Sequence, residues 1–255
     1  MQEHETWLTA LFNDHLAGVG NGILSVVYPI FGVAYKAQEK PWENFIVMQI
    51  LVTVIVILLF AQLKASLSMD KPGKLQHLFE AVYNFLHQQA HDNIGHGSSR
   101  FVPFVGSMFI FILFCNLLGI IPTLEAPTMF HYVTGGLAAA SFLYYNYMGV
   151  RIQGLGNYSK HFLGPVWWLA PLMLPIEIIS HLARPLSLTI RLFANMFAGE
   201  MVTIVFIGLT FIGIPVIFMG LHVFVSILQA YIFALMTMIY LGGAVSHDHP
   251  DELEH

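Results

Sequence analysis

The chain has 255 residues, of which 56% are hydrophobic and only 10% are charged. Soluble domains carry about a quarter charged residues, so this composition excludes a water-covered globular surface and predicts an integral membrane protein. The formal net charge is -5 and the 10 Lys and Arg residues are scattered, which excludes a nucleic-acid-binding surface. Cys115 is the single cysteine, so a disulfide framework is excluded too.

The N-terminal region, residues 1–43, is predicted to be a tail and an interfacial segment on the outer side of the membrane. Residues 1–20 are polar and predict a weakly ordered tail. Residues 22–35 are apolar but contain Gly and Pro, which suits a segment lying at the interface. The rest of the chain, residues 44–255, is predicted to be a single transmembrane helical domain, and its first span covers residues 44–63.

Residues 72–92 are predicted to form an amphipathic helix. Apolar residues such as Leu75, Leu78 and Phe79 recur at intervals of three and four, and polar residues fill the other face. The segment starts at Pro72, and proline favours the first turn of a helix. A helix of this kind lies on the membrane surface rather than across it.

Two further spans, 101–121 and 129–150, are predicted to form a hairpin over residues 101–150 because only a short proline-containing turn separates them. Two long helices follow at 161–207 and 214–245. At 1.5 Å per residue the first would be roughly 70 Å long, more than twice the thickness of the hydrocarbon layer.

That length leaves two interpretations of the first long helix. In the first, Pro171 and Pro175 break it into a re-entrant piece and a span. In the second, it continues as one kinked and strongly tilted helix. The absence of a polar turn between the pieces favours the second interpretation.

The predicted fold class is therefore an all-α integral membrane protein. It has about five transmembrane helices plus one amphipathic surface helix, and the last two helices are long and strongly tilted. Lys and Arg are concentrated in the loops after the first and third spans. The positive-inside rule then places the N-terminus outside and the C-terminus in the cytoplasm.

Ionisable residues are concentrated in the first long helix: Glu177, His181, Arg184, Arg191 and Glu200. Each costs about 2.5–3.5 kcal/mol in an apolar span, so their presence indicates a function. At 100° per residue, Glu177, Arg191 and Asn195 share a stripe roughly 80° wide. Glu200 points to the opposite side, roughly 13 Å further along the axis. This arrangement suits two separate half-paths that meet at a barrier.

The last helix offers polar partners for that carboxylate. His222, Ser226 and Gln229 share one face with Phe233 and Tyr240. Because histidine titrates near neutral pH, His222 and Gln229 are predicted to form a hydrogen-bonded proton relay with Glu200.

Arg191 is the predicted barrier. Its guanidinium stays protonated and therefore cannot carry the proton itself. It can instead attract a carboxylate, favour loss of that carboxylate's proton, and repel cations that would leak between the half-paths. The chain has no second long polar helix to complete a pore, so the shuttling carboxylate is expected on another subunit.

The segment from Arg191 to Glu200 reads Arg-Leu-Phe-Ala-Asn-Met-Phe-Ala-Gly-Glu, and His222 and Gln229 follow seven residues apart. This pattern resembles the a subunit of bacterial-type F-type ATP synthases, and residues 72–76 and 114–122 are also similar to that family. The resemblance implies that Arg191 faces the carboxylate of a rotating c-ring. It also implies an outer half-channel lined by Asn195, Glu200, His222 and Gln229. A second half-channel, leading to the cytoplasm, is implied to contain Glu177.

The resemblance implies a proton-translocating stator subunit that is not an enzyme on its own and needs no cofactor. The implied partners are the c-ring, b-type peripheral stalk subunits, the remaining F1FO subunits and the lipid bilayer, in a bacterial plasma (inner) membrane. Residues 131–136 depart from the family pattern, with Tyr132 where an asparagine is expected. The choice between H⁺ and Na⁺ depends on the c-ring site, which is not in this chain.

Two other classes of protein were weighed. A self-contained secondary transporter would move its solute from this chain alone, and an intramembrane enzyme would hold a stoichiometric metal. His87 and His91 are four residues apart with His96 nearby, a spacing that can bind zinc. No carboxylate or cysteine ligand is clustered with them, so no metal site is predicted.

Overall fold

The computed structural model describes residues 5–30, 36–68, 73–95, 97–121, 123–154, 156, 158, 170–209 and 213–245. All regular secondary structure in these residues is helical. The helices are α1 (Trp7–Ile30), α2 (Asn44–Ser66), α3 (Lys74–Ile94), α4 (Val102–Leu118), α5 (His131–Gln153), α6 (Ala170–Leu209) and α7 (Gly213–Val245). Short 3-10 turns at Ser98–Arg100 and Pro127–Met129 precede α4 and α5.

Three of the described helices are long and apolar enough to cross a membrane. They are Asn44–Ser66, Pro171–Leu209 and Gly213–Val245. α4 is apolar but has only 17 residues, and α5 carries polar side chains along its 23 residues. The predicted class, an all-α membrane protein, is confirmed, and the count of about five spans stays a prediction.

The weakly ordered tail predicted for residues 1–20 is wrong for residues 7–20, because α1 is helical from Trp7 to Ile30. Residues 1–4 lie outside the described residues. Its polar side chains anchor it to the segment before α2. Asn13 donates through Nδ2 to the Trp42 carbonyl at 3.1 Å and accepts from the Trp42 N–H at 3.0 Å. An ion pair joins Lys40 to Glu5, and the Lys40 hydrogen bond lowers the pKa of that carboxyl. These contacts link residues far apart in sequence, and the local pattern does not reveal them.

The core lies where α7 packs against α3, α4, α5 and α6. Its fully buried centre includes Ile112 on α4, Leu192 and Met196 on α6, and Phe233 on α7. α5 also packs on α6, and α2 joins the bundle through α4. α7 is therefore the element around which the other helices are arranged, and it shares a long contact with the polar helix α6.

α6 is continuous through Pro175 and Pro185. Each proline lacks the N–H that would bond to the carbonyl four residues earlier, a loss that membrane helices tolerate when their neighbours pack closely. The re-entrant alternative is therefore wrong for residues 170–209, where one long helix is observed. Residues 161–169 of the predicted helix lie outside the described residues.

α3 has the predicted amphipathic character, but it is more than a surface helix. Leu86 and Ala90 are buried in the core, whereas Leu75, Leu78 and Phe85 remain exposed. Near its C-terminal end the Asn93 backbone meets α7 at Gly242. The predicted start at Pro72 lies outside the described residues.

Gly242→Ala should destabilise the protein. A Cβ at this position would lie 2.2 Å from the Asn93 carbonyl oxygen, so α3 and α7 must move apart. Overpacking of this kind costs about 1–3 kcal/mol. The measurement is the temperature at which the detergent-solubilised protein aggregates, and we expect it to fall. Gly243→Ala is the matched control, because a Cβ there meets no atom within 4 Å. Equal aggregation temperatures for both variants would contradict the close contact.

Candidate functional site

Most of the polar site residues that the sequence predicts lie at the interface between α6 and α7. On α7, His222, Ser226, Gln229 and Phe233 are buried and Tyr240 is half-buried. The face predicted from their spacing is therefore the face that α7 turns toward the bundle. Among the described residues, this interface brings polar groups from the two helices together in three places along α6.

The first place is Glu200. Its side chain is buried, with 9% exposure, and Oε2 has no hydrogen-bond partner among the described residues. His222 packs against the preceding residue of α6: its imidazole ring comes within 3.4 Å of where a Cβ would lie on Gly199. The His222 Nε2 atom is also buried and unpartnered in the described part of the chain. A buried carboxylate and a buried imidazole with unused polar atoms are suited to binding water or protons.

The second place lies one to two turns earlier on α6. The Asn195 Nδ2 atom donates to Gln229 Oε1 at 2.8 Å. Gln229 is 1% exposed, and its Nε2 donor is buried without a partner in the residues described. The pair joins α6 to α7 and leaves one amide donor inside the interface. Asn195 and Gln229 are thus brought into direct contact, whereas His222 contacts Gly199 beside Glu200.

The third place is near the N-terminal half of α6. Arg184 pairs with Glu177 at 3.7 Å, and both side chains are about one-third exposed. The Arg184 guanidinium also lies over the Tyr240 ring of α7, 5.3 Å from its centroid. Charged groups within a membrane helix usually pair in this way.

Arg191 lies between these groups. It is half-buried, one turn before Asn195, and within the described residues it makes neither an ion pair nor a hydrogen bond. Glu177 and Arg191 are 14 residues apart, roughly 21 Å along the helix, and Glu200 is roughly 13 Å beyond Arg191. The structure therefore separates Glu177 and Glu200 and places the one unpaired guanidinium of this stretch between them.

A fully buried polar link that the sequence did not predict joins α4 to α7. Thr128 donates to Asn116 Oδ1 at 2.7 Å, and Asn116 Nδ2 donates to the Ser226 carbonyl at 3.3 Å. A lone asparagine in the apolar stretch 101–121 was the available signal, since uncompensated polar groups are costly in a span. The partner in the turn was not predictable from helical periodicity.

A second missed link joins α5 to α6. Asn146 Oδ1 accepts from the Tyr158 hydroxyl at 2.6 Å and lies 2.8 Å from His181 Nε2. Because Oδ1 can only accept, Nε2 of His181 carries the proton in this contact. The link fixes α6 near its ionisable stretch.

The histidines weighed as zinc ligands lie elsewhere. His87 is hydrogen-bonded to Ser99, and His96 lies outside the described residues. Across the ranges that the structure describes, no three His, Cys, Asp or Glu side chains are grouped to hold a metal ion.

Long apolar helices with unpaired ionisable groups at their interface define an integral membrane protein of the ion-translocating class. The comparisons give the particular family. The family model described as "ATP synthase A chain" matches residues 46–242, and the chain belongs to this family. Its role is thus that of the non-catalytic, proton-translocating subunit in the membrane sector of ATP synthase.

Two of the relatives match over nearly the whole chain, and a third matches over about two thirds of it. An ATP synthase subunit a of Solibacter usitatus is 59% identical over 239 residues, which are 94% of this chain and 100% of that protein. One of Koribacter versatilis is 46% identical over 96% of this chain and 99% of its own length. One of Nitratidesulfovibrio vulgaris is 47% identical over 70% of this chain and 76% of its own length.

Thr128→Val should destabilise the link between α4 and the turn. Valine has nearly the same shape as threonine but leaves the buried Asn116 Oδ1 without its donor, which costs about 1–3 kcal/mol. Heating the detergent-solubilised protein should therefore cause aggregation at a lower temperature. The control is Thr53→Val, because Thr53 is exposed and bonds only to Gln49 of its own helix. If Thr128→Val and the control aggregated at the same temperature, the buried hydrogen bond would be shown to contribute little to stability.

Proposed function

We propose that α6 and α7 form two aqueous half-channels separated by Arg191, which faces the carboxylate of a rotating c-ring. Protons reach the ring through an outer half-channel lined by Asn195, Glu200, His222 and Gln229. They leave toward the cytoplasm along a half-channel that contains Glu177. The observation that carries the proposal is the position of Arg191, unpaired within the described residues and flanked by separate polar groups.

The physical role of Arg191 follows from its permanent charge. A guanidinium in poor solvent attracts an anionic carboxylate and stabilises its deprotonated form. A ring carboxylate that arrives protonated is therefore induced to release its proton before it passes Arg191. The same positive charge repels free protons and other cations, so protons do not pass directly from one half-channel to the other.

The exposed side of α6 supports the proposal that a protein partner binds there. Asn195 and Ala198, which lie on the predicted stripe with Arg191, are exposed in the single chain. Large apolar side chains flank the stripe, among them Ile190 at 54% and Leu186 at 59% exposure. An apolar surface with a half-buried cation at its edge suits an apolar helix that carries one carboxylate.

The outer half-channel is supported by unsatisfied polar atoms. Glu200 Oε2, His222 Nε2 and Gln229 Nε2 are all buried and lack partners among the described residues. In an apolar surrounding each such atom costs free energy unless water or a proton donor reaches it. Water entering between α6 and α7 would satisfy all three and would connect Glu200 toward Asn195.

The remaining architecture follows from the same proposal. Residues 1–43 lie on the outer side, and residues 44–255 form a single transmembrane domain with about five spans. The N-terminus is outside and the C-terminus is in the cytoplasm of a bacterium, with the protein in the plasma (inner) membrane. The c-ring contacts α6, and b-type stalk subunits and the other F1FO subunits complete the assembly.

Arg191→Ala should abolish ATP-driven proton pumping while the complex still assembles. The change removes the charge that we propose separates the half-channels, and alanine keeps the helix intact. Pumping is measured by the quenching of a pH-sensitive dye in inverted membrane vesicles, and assembly by the subunit composition of the purified complex. Arg151→Ala is the control, because Arg151 is exposed at the end of α5. Normal pumping by Arg191→Ala would reject the assignment of the arginine.

Glu200→Gln should slow proton flux roughly tenfold or more and change its dependence on pH, because the amide keeps the shape but cannot accept and release a proton. Passive proton conductance of vesicles stripped of the catalytic sector, recorded from pH 6 to 9, gives both quantities. Glu43→Gln, a change at an exposed carboxylate, should leave rate and profile unaltered. A wild-type profile for Glu200→Gln would remove this residue from the half-channel.

A further inference from the structure

The turn between α4 and α5 packs against α6. Its Thr128 donates to Asn116, whose amide donates to the Ser226 carbonyl. The Ser226 hydroxyl in turn lies 3.9 Å from the Met196 sulfur, one helical turn before Glu200 on α6. Ala126, Pro127 and Thr128 are buried, whereas Glu125 is half-buried. Gly119, just after α4, lets the turn approach: a Cβ there would lie 2.6 Å from the Ala126 Cβ. Close packing therefore fixes the position of the turn, and with it the position of Glu125.

Glu125 lies in this turn, near enough to Glu200 for their like charges to repel each other. From α7, the His222 ring packs at the neighbouring Gly199. With 9% exposure, Glu200 has little access to bulk water. Its proton must pass through a neighbouring group.

Glu125 is held in a fixed orientation by Asn44 at the start of α2. Asn44 Nδ2 donates to Glu125 Oε2 at 3.1 Å. The Asn44 Oδ1 atom in turn accepts from the Thr6 N–H at 3.2 Å, and Asn44 is 8% exposed. The amide is thereby fixed with its donor toward Glu125. Asparagine does not titrate, so Asn44 positions the carboxylate and carries no proton.

We infer that Glu125 is a further proton-relay residue, positioned by Asn44, that passes protons between outer water and Glu200. This inference rests on the proposed function and adds one carboxylate to the outer half-channel. In each transfer the O–H bond at Glu125 breaks and an O–H bond forms at Glu200, directly or through one water. Glu125 is left anionic and takes its next proton from water.

The chemistry of two neighbouring carboxylates favours such a transfer. Like charges held close together resist ionising at the same time, so the pair tends to keep one shared proton. Arrival of a proton at half-buried Glu125 thus promotes its movement to the buried member of the pair. His222, which packs against the adjacent Gly199, can accept it next.

The first test uses Glu125→Gln in the assembled ATP synthase. ATP-driven pumping and passive proton conductance should both fall several-fold, while Glu125→Asp keeps most of the activity and Glu43→Gln is unaffected. If both residues serve one path, Glu125→Gln combined with Glu200→Gln should be no slower than Glu200→Gln alone. Wild-type rates for Glu125→Gln beside a slow Glu200→Gln, or additive effects in the double variant, would overturn the inference.

Chemical rescue keeps the test decisive if Glu125→Gln assembles poorly. Glu125→Cys, in a Cys115→Ala background, is purified in the complex and treated before reconstitution. Iodoacetate attaches a carboxymethyl group as the thiolate displaces iodide, and it should restore proton conductance. Iodoacetamide attaches a neutral group of nearly equal size and should not. Equal effects of the two reagents would overturn the role of the carboxylate.

The same preparations separate this inference from the function on which it rests. If Arg191→Ala and Glu200→Gln both conduct like the wild type, the proposed half-channels fail. If those two variants are impaired and only the Glu125 variants behave normally, the half-channels stand and the Glu125 relay fails.

Discussion

Polar side chains buried between α6 and α7 impose the main constraint on this protein, because hydrocarbon supplies no water to satisfy them. The two helices must pack in a register that lets Asn195 reach Gln229 and lets His222 lie against Gly199. A shift by one turn, about 5.4 Å, would bury these groups against apolar neighbours. The site therefore depends on axial register as much as on the residues themselves.

The rest of the bundle maintains that register through side-chain bonds between helices. The Ser141 and Thr237 hydroxyls lie 2.9 Å apart and join α5 to α7. Asn116 ties α4 to the α7 backbone. Both links are buried, so no water competes for the bonding groups, and each helix is held at a defined height along α7. Apolar packing alone defines the axial register less strictly, because successive apolar turns of a helix present similar surfaces.

Much of the architecture was predictable because helical periodicity and hydropathy are local properties. The spacing of His222, Ser226 and Gln229 was sufficient to predict the buried face of α7. The ionisable residues of α6 were conspicuous because an apolar helix makes each of them costly.

The features that were missed depend on contacts between distant segments. The helical structure of residues 7–20 is accompanied by contacts between Asn13 and Trp42, 29 residues away. The contact of the α4–α5 turn with α6 arises from a turn folding onto a helix, and periodicity carries no information about it. Asn116 could be recognised as unusual, but its partner Thr128 could not. The proton-path roles of the site residues stay predictions, because geometry alone does not report proton movement.

The half-buried, unpaired guanidinium of Arg191 has a consequence for the life of the newly made chain. Before another protein covers this face, the charge must lie against lipid, at a cost of about 2.5–3.5 kcal/mol. The uncovered chain is therefore less stable in the membrane than the same chain with a partner against this face. The residue that we place at the centre of transport would then also favour assembly.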